Sequence, residues 1–214
     1  MNASTALRRA SAVLTLTLTA ALSAYAAGAS VAGRISPDIA KGRTLANQMC
    51  IACHTADGTR GLSSNPILAA QHPEYMVRQL RDFRDGRRAN AIMQAFAAQL
   101  SDEDMVHVAA FYASLPPVHG VATNPELVLM GQRIWRGGIP GINVPSCAAC
   151  HGATGAGIPA QYPRLAGQHA EITAQALRAY RSGERANNQV MMDISKRLSD
   201  REIAALADFI AGLR

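Results

Sequence analysis

Aromatic residues are scarce in this 214-residue chain: they make up 5% of it, although 49% of its residues are hydrophobic. Lobes of about 90 residues with so few rings would have thin cores and would gain from a bulky internal ligand. No long basic run occurs either. The basic residues are nearly all Arg and are interspersed with acids along helical segments, which speaks against nucleic-acid binding. No segment alternates convincingly as a strand would. No acid–base pair, nucleophile triad or phosphate-binding loop is present, so nothing in the pattern points to an enzyme.

The one long apolar run is N-terminal. Arg8 and Arg9 precede an apolar stretch from Ala10 to Leu22, and Ala24-Tyr25-Ala26 follows, which is the order of a secretory signal peptide over residues 1–26. The stretch is shorter than the roughly 20 residues a spanning helix requires, so an uncleaved anchor is the weaker reading. The residues that should follow a twin-arginine signal are missing, which favours general secretion and a mature chain from about Ala27 in the periplasm. Loss of Arg8 and Arg9 reduces the formal charge from +6 to +4.

What is there is a repeat. Cys50-Ile51-Ala52-Cys53-His54 recurs 97 residues later as Cys147-Ala148-Ala149-Cys150-His151. Pro66 through His72 matches Pro163 through His169, and Leu80, Phe83, Gly86, Arg88 and Asn90 match Leu177, Tyr180, Gly183, Arg185 and Asn187. One residue is then inserted, so that Met93 and Leu100-Ser101-Asp102 align with Met191 and Leu198-Ser199-Asp200. The duplication divides the chain into a first domain over 27–115, a Pro- and Gly-containing linker over 116–123 and a second domain over 124–214. Both copies read as all-α. Ser36-Pro37-Asp38 and Asn124-Pro125-Glu126 offer a cap followed by proline, Pro73–Arg84 and Ala170–Arg181 a middle helix, and Ser101-x-x-Asp104 and Ser199-x-x-Glu202 capping boxes.

Cys-x-x-Cys-His is the attachment pattern of haem c. Two intervening residues let one helical turn present both thiols to the vinyl groups of one porphyrin, and the adjacent His then reaches the iron. A structural zinc site would need four ligands per copy, and a thioredoxin-type disulfide would sit beside a strand–helix unit; neither setting is found. Cys50, Cys53, Cys147 and Cys150 are therefore expected to hold two haem c groups, with His54 and His151 as axial ligands. An electron carrier fills both axial positions, and a Met partner raises the potential. Met93 and Met191 occupy equivalent places in an irregular stretch and are the favoured sixth ligands. Met192 competes with Met191, and His72 and His169 offer a bis-His alternative, although a role at the start of the middle helix suits them better. His107 and His119 have no counterpart and are expected to be structural. The carbonyls of Pro66 and Pro163 are candidates to accept the proton on the non-ligating nitrogen of His54 and His151.

These features together resemble a dihaem cytochrome of the c4 type. The resemblance extends to Tyr162 through His169, to Leu198-Ser199-Asp200, and to the long approach from Ile134 through Gly138 to Pro145-Ser146-Cys147, which copy one lacks. Copy one has Ala69-Ala70-Gln71 where copy two has Ala166-Gly167-Gln168. The resemblance implies a tandem pair of class I cytochrome c-like domains, each wrapped around one covalent haem, with His/Met ligation and lobes facing each other. It implies an electron shuttle, soluble or peripherally associated with the membrane. The donor would be a quinol-oxidising complex or a dehydrogenase, and the acceptor a terminal oxidase. An electron-accepting subunit docked on a periplasmic dehydrogenase is the alternative. A dihaem peroxidase would need an open iron, against which Met93 and Met191 argue, and a haem-free binding module would be colourless.

Overall fold

The computed structural model describes residues 35–214, so the expected signal peptide and the first residues after it lie outside the described residues. The described chain is helical, with isolated β-bridges and no strand. In the first half, α1 (Ile39–Met49), α2 (Ile51–His54), α3 (Pro73–Arg84), α4 (Ala91–Ala97) and α5 (Asp102–Ala113) follow one another. The second half repeats the series as α6 (Pro125–Gly137), α7 (Ala148–His151), α8 (Ala170–Ser182), α9 (Gln189–Ser195) and α10 (Asp200–Gly212), with a 3₁₀ turn at Pro140–Ile142.

In each half the first and last helices cross, and the middle helix packs on the last. Duplicated glycines permit the crossing. A Cβ on Gly42 would strike the His107 carbonyl on α5, and one on Gly131 would strike the Ala205 carbonyl on α10. Helix starts follow local chemistry. Ser101 and Ser199 each form a reciprocal capping box, with Asp104 and Glu202 respectively. Asn124 caps α6 with Pro125 in its first turn.

The first helix differs from expectation, because Asp38 rather than Ser36 is its cap and accepts from Lys41 N at 3.0 Å. The Asp38 amide is in turn held by His107, whose Nδ1 accepts it at 3.0 Å while Nε2 donates to Glu103 at 3.2 Å. That fastening moves the cap inward by two residues and gives the unmatched His107 its structural role.

Met93 and Met191 lie in short helices, not in the irregular stretches expected for them. Asn90 caps α4 by accepting from Met93 N at 2.8 Å, and Asn188 caps α9 by accepting from Met191 N at 2.9 Å. The true partner of Asn90 is therefore Asn188, and the inserted residue is Asn187. Its side chain donates across to Asp82 Oδ2 at 2.7 Å and Gln79 Oε1 at 3.1 Å on α3.

The segment between α5 and α6 is fastened from both sides. Asp208 on α10 accepts from Thr123 N at 2.8 Å and Asn124 N at 3.2 Å. Arg60 donates to the His119 carbonyl at 3.4 Å and to the Gly167 carbonyl at 2.8 Å.

Candidate haem-binding sites

Each Cys-x-x-Cys-His motif forms a single helical turn. The amides of Cys53 and His54 both donate to the Cys50 carbonyl, at 3.2 and 2.9 Å, and those of Cys150 and His151 to the Cys147 carbonyl at 3.3 and 2.9 Å. Both thiols of a motif thus sit one turn apart, with the His directly after them. All four sulfurs are unpaired. Burial pushes the thiols of Cys50 and Cys147 up to about 11, so neither is a ready thiolate for disulfide exchange. Among the described residues, no three His, Cys, Asp or Glu side chains converge on a point, which removes the zinc reading.

The two histidines are buried, and their surroundings hold their basicity below the ordinary value, through desolvation above all. His54 Nδ1 lies 3.0 Å from the Pro66 carbonyl, and His151 Nδ1 lies 3.0 Å from the Pro163 carbonyl. A carbonyl can only accept, so Nδ1 carries the proton in both rings and Nε2 keeps its lone pair. This is the tautomer an iron ligand requires, with its orientation fixed by a backbone acceptor.

Two duplicated arginines meet where the halves adjoin. Arg88 and Arg185 pair through an antiparallel bridge, stacked on Phe83 and Tyr180 at 4.4 Å each. Both contact Gln79 Oε1 at 2.9 Å. Asp82, the carboxylate beside them, is already bonded to Arg87 at 2.7 Å. Burial, and then the neighbouring Arg185, push the Arg88 guanidinium down to about 10. At the motifs, a porphyrin fits the paired thiols and the free Nε2 atoms. The residues present therefore match haem c.

The cores carry the same message. Met191 packs in the core that includes Trp135, Leu165 and Cys147, a core that does not include Met192. Met93 packs against the core of Phe83, Ala97, Leu100 and Met105, as does Val77, which with Cys50 also borders the core around Tyr112. His72 and His169 stand at the N-termini of α3 and α8. His72 Nε2 donates to the Ala156 carbonyl at 2.9 Å, and His169 Nδ1 lies 3.3 Å from Arg60 Nη1.

Comparison with known proteins agrees with this geometry. A family model described as Cytochrome c matches residues 131–214, and one described as Cytochrome C oxidase, cbb3-type, subunit III matches residues 37–111. The chain is 45% identical over 176 residues to cytochrome c4 of Thiocapsa roseopersicina, covering 80% of this chain and 91% of that protein. The chain belongs to the cytochrome c4 family. A crystal structure of reduced recombinant cytochrome c4 from Pseudomonas stutzeri superposes with a TM-score of 0.79 at 32% identity, over 84% of this chain and 100% of that one. The chain is also 38% identical to a thiosulfate dehydrogenase electron acceptor of Stutzerimonas stutzeri, over 80% of this chain and 82% of that protein.

As a cytochrome c4-type protein, the chain carries two covalent haem c groups and is an electron carrier, not an enzyme. Its partners are redox proteins. Among the described residues no helix is long and apolar enough to cross a membrane.

Two duplicated pairs in the repeat have no role that sequence reasoning assigns: Gln71 with Gln168, and Arg88 with Arg185. The signal that singles them out is a polar residue duplicated where no cofactor ligand is needed.

Proposed function

We propose that this protein is a periplasmic dihaem shuttle in which His54 and Met93 hold one iron and His151 and Met191 the other. Cys50 and Cys53 tether the first haem and Cys147 and Cys150 the second. The first domain spans residues 27–115 and the second 124–214, joined by the linker 116–123. The observation that carries this reading is the duplicated bond from axial-His Nδ1 to a proline carbonyl, which leaves both Nε2 atoms free. The duplicated Asn caps, which place Met93 and Met191 at the same helical position, support the sixth ligands. Met191 packs against the core that Cys147 also borders and Met192 does not, which favours Met191.

When bound, haem supplies a one-electron ferrous–ferric couple, and a thioether ligand favours the ferrous form. The protein orients each His and keeps it neutral and buried, and Met93 and Met191 would shield the two irons from other ligands. A quinol-oxidising complex or dehydrogenase would supply the electron and a terminal oxidase receive it, with the protein free or resting on the membrane surface. Similarity to a thiosulfate dehydrogenase electron acceptor favours a second reading, an electron-accepting subunit held on a periplasmic dehydrogenase. Co-purification separates the two, since a subunit stays in a stable stoichiometric complex and a shuttle does not.

The mature protein should carry two haems that resist acid-acetone extraction, and in the reduced state it should bind carbon monoxide slowly or not at all. Met191→Ala should remove half of the weak sulfur-to-iron absorption of the ferric protein and open one haem to carbon monoxide, while Met192→Ala leaves both unchanged. The reverse result moves the ligand one residue along. Rapid carbon monoxide binding by the wild type would overturn the carrier reading.

A further inference from the structure

The peptides that orient the axial histidines are each gripped from the opposite lobe. Ile67 follows Pro66, so the carbonyl that accepts from His54 and the amide of Ile67 belong to one peptide unit. That amide donates to Gln168 Oε1 at 3.0 Å, and Gln168 Nε2 returns a bond to the Ile67 carbonyl at 3.0 Å. The counterpart is reciprocal. The Arg164 amide, in the same peptide as the Pro163 carbonyl that accepts from His151, donates to Gln71 Oε1 at 2.9 Å, and Gln71 Nε2 donates to the Arg164 carbonyl at 2.9 Å.

Neither glutamine is free to swing. Gln71 Oε1 also accepts from the His72 amide at 3.0 Å, and Gln168 Oε1 from the His169 amide at 2.9 Å. The gap bounded by Ile67, Ala69, Gln71, Arg164, Ala166 and Gln168 measures about 10 Å³, so at most one water can compete there.

We propose that Gln168 is a positioning residue for the first haem and Gln71 for the second, so that each lobe sets the strength of the other lobe's axial histidine. The proposal rests on His54 and His151 being iron ligands. A peptide whose N–H is donated to a good acceptor has a more electron-rich carbonyl, because hydrogen bonds in series polarise one another. Gln168 Oε1 thus strengthens the Pro66 carbonyl as an acceptor for His54 Nδ1–H. The ring becomes a more basic ligand, which favours ferric iron. Through Gln71 the same chain runs to His151. Separation of the lobes, or a change in their docking, would loosen both grips and raise both potentials, so that the docking of the two halves and their redox balance are linked.

The test uses the mature dihaem protein and the hyperfine-shifted Nδ1–H proton signals of the axial histidines in the ferric state, with each haem's potential followed through its assigned methyl signals. In the wild type, signals from both His54 and His151 must appear. Their absence sinks the ligation reading itself, whatever the glutamines do. Given those signals, Gln168→Met should shift the His54 proton, speed its exchange with solvent and raise the first haem's potential, leaving the His151 signal in place. Gln71→Met should do the reverse. Gln168→Glu keeps an acceptor oxygen and should move the His54 signal and the first potential in the opposite direction from Gln168→Met, so the crossed assignment can fail even where the Met variant does not assemble. A variant whose larger effect falls on its own lobe's haem, or equally on both, or on neither, overturns the crossed assignment.

Discussion

The two lobes share a backbone plan but build their cores from different side chains at matched positions on the first and last helices. The duplicated glycines bring Ala46 on α1 and Trp135 on α6 to equivalent positions, four residues beyond Gly42 and Gly131. From the last helix, lobe one supplies Tyr112 and lobe two Ile210, as shown by their carbonyls, which accept from Ala70 N at 3.0 Å and from Gly167 N at 3.1 Å. Lobe one thus combines a small residue on the first helix with a ring on the last, and lobe two a large ring with an aliphatic residue. Both pairs lie in the cores that border the Cys motifs. What is kept between the copies is the crossing of the helices and not the residue at each place, so each lobe packs its core with its own side chains.

The largest effect expected from this comparison comes from Trp135→Ala. The side chain is fully buried, stacks on Phe209 at a centroid distance of 6.2 Å and donates Nε1 to the Ala153 carbonyl at 3.1 Å. Its removal should cost about 3–5 kcal/mol, read by denaturant unfolding of the holoprotein. Adding Ile210→Tyr should recover part of that loss, since it restores lobe one's combination. A double variant no more stable than Trp135→Ala would mean that lobe two cannot use lobe one's combination.

A second contrast lies where copy one has Ala69-Ala70-Gln71. Ala70 adopts φ 57° and Gly167 φ 76°, so both are left-handed, and only the second is a glycine. In lobe two a Cβ would also run into the Val118 carbonyl of the linker. Gly167→Ala should therefore destabilise by about 2 kcal/mol or more, combining left-handed strain of about 1–2 kcal/mol with displacement of the linker. Ala70→Gly removes strain and should gain about 1 kcal/mol or less. Thermal unfolding of the two single variants checks the opposite signs, and a loss in both would mean that Ala70 is not strained.

The cofactor chemistry is legible in the sequence because it is short-range. Two thiols and a His must occupy one helical turn, and duplication marks the residues that matter, from Cys50 and Cys147 to Pro66 and Pro163. What sequence reasoning misses depends on partners distant in the chain. The cap at Asp38 is decided by His107, and Asn187 aligns with Asn90 only because the neighbouring Asn188 offers the same side chain. The short helices holding Met93 and Met191 do carry a local mark, since Asn three residues before each Met is a duplicated cap signal. The crossed glutamines are marked only by their duplication, because a Gln in a loop does not reveal which backbone it will grip.

The smallest effect concerns the polar atom that the two lobes do not share. Tyr112 is fully buried and its hydroxyl has no hydrogen-bond partner, whereas Ile210 brings no polar atom to the same place. Burial, followed by the adjacent Cys50, holds the phenol above its ordinary value of 10.0. An unmade hydrogen bond on a buried hydroxyl costs about 1–3 kcal/mol, so its deletion should not carry the usual penalty. Tyr112→Phe is expected to leave stability near neutral pH unchanged or to raise it by up to about 1 kcal/mol. The alkaline limb separates this account from simple tolerance. Above pH 10.0 an unfolded tyrosine loses its proton while buried Tyr112 keeps it, so the wild type loses stability as pH rises past that value and the Phe variant loses less. Unfolding free energies measured on both proteins across that range decide the matter. Parallel alkaline limbs together with a loss of more than about 1 kcal/mol at neutral pH would mean that the hydroxyl has a partner.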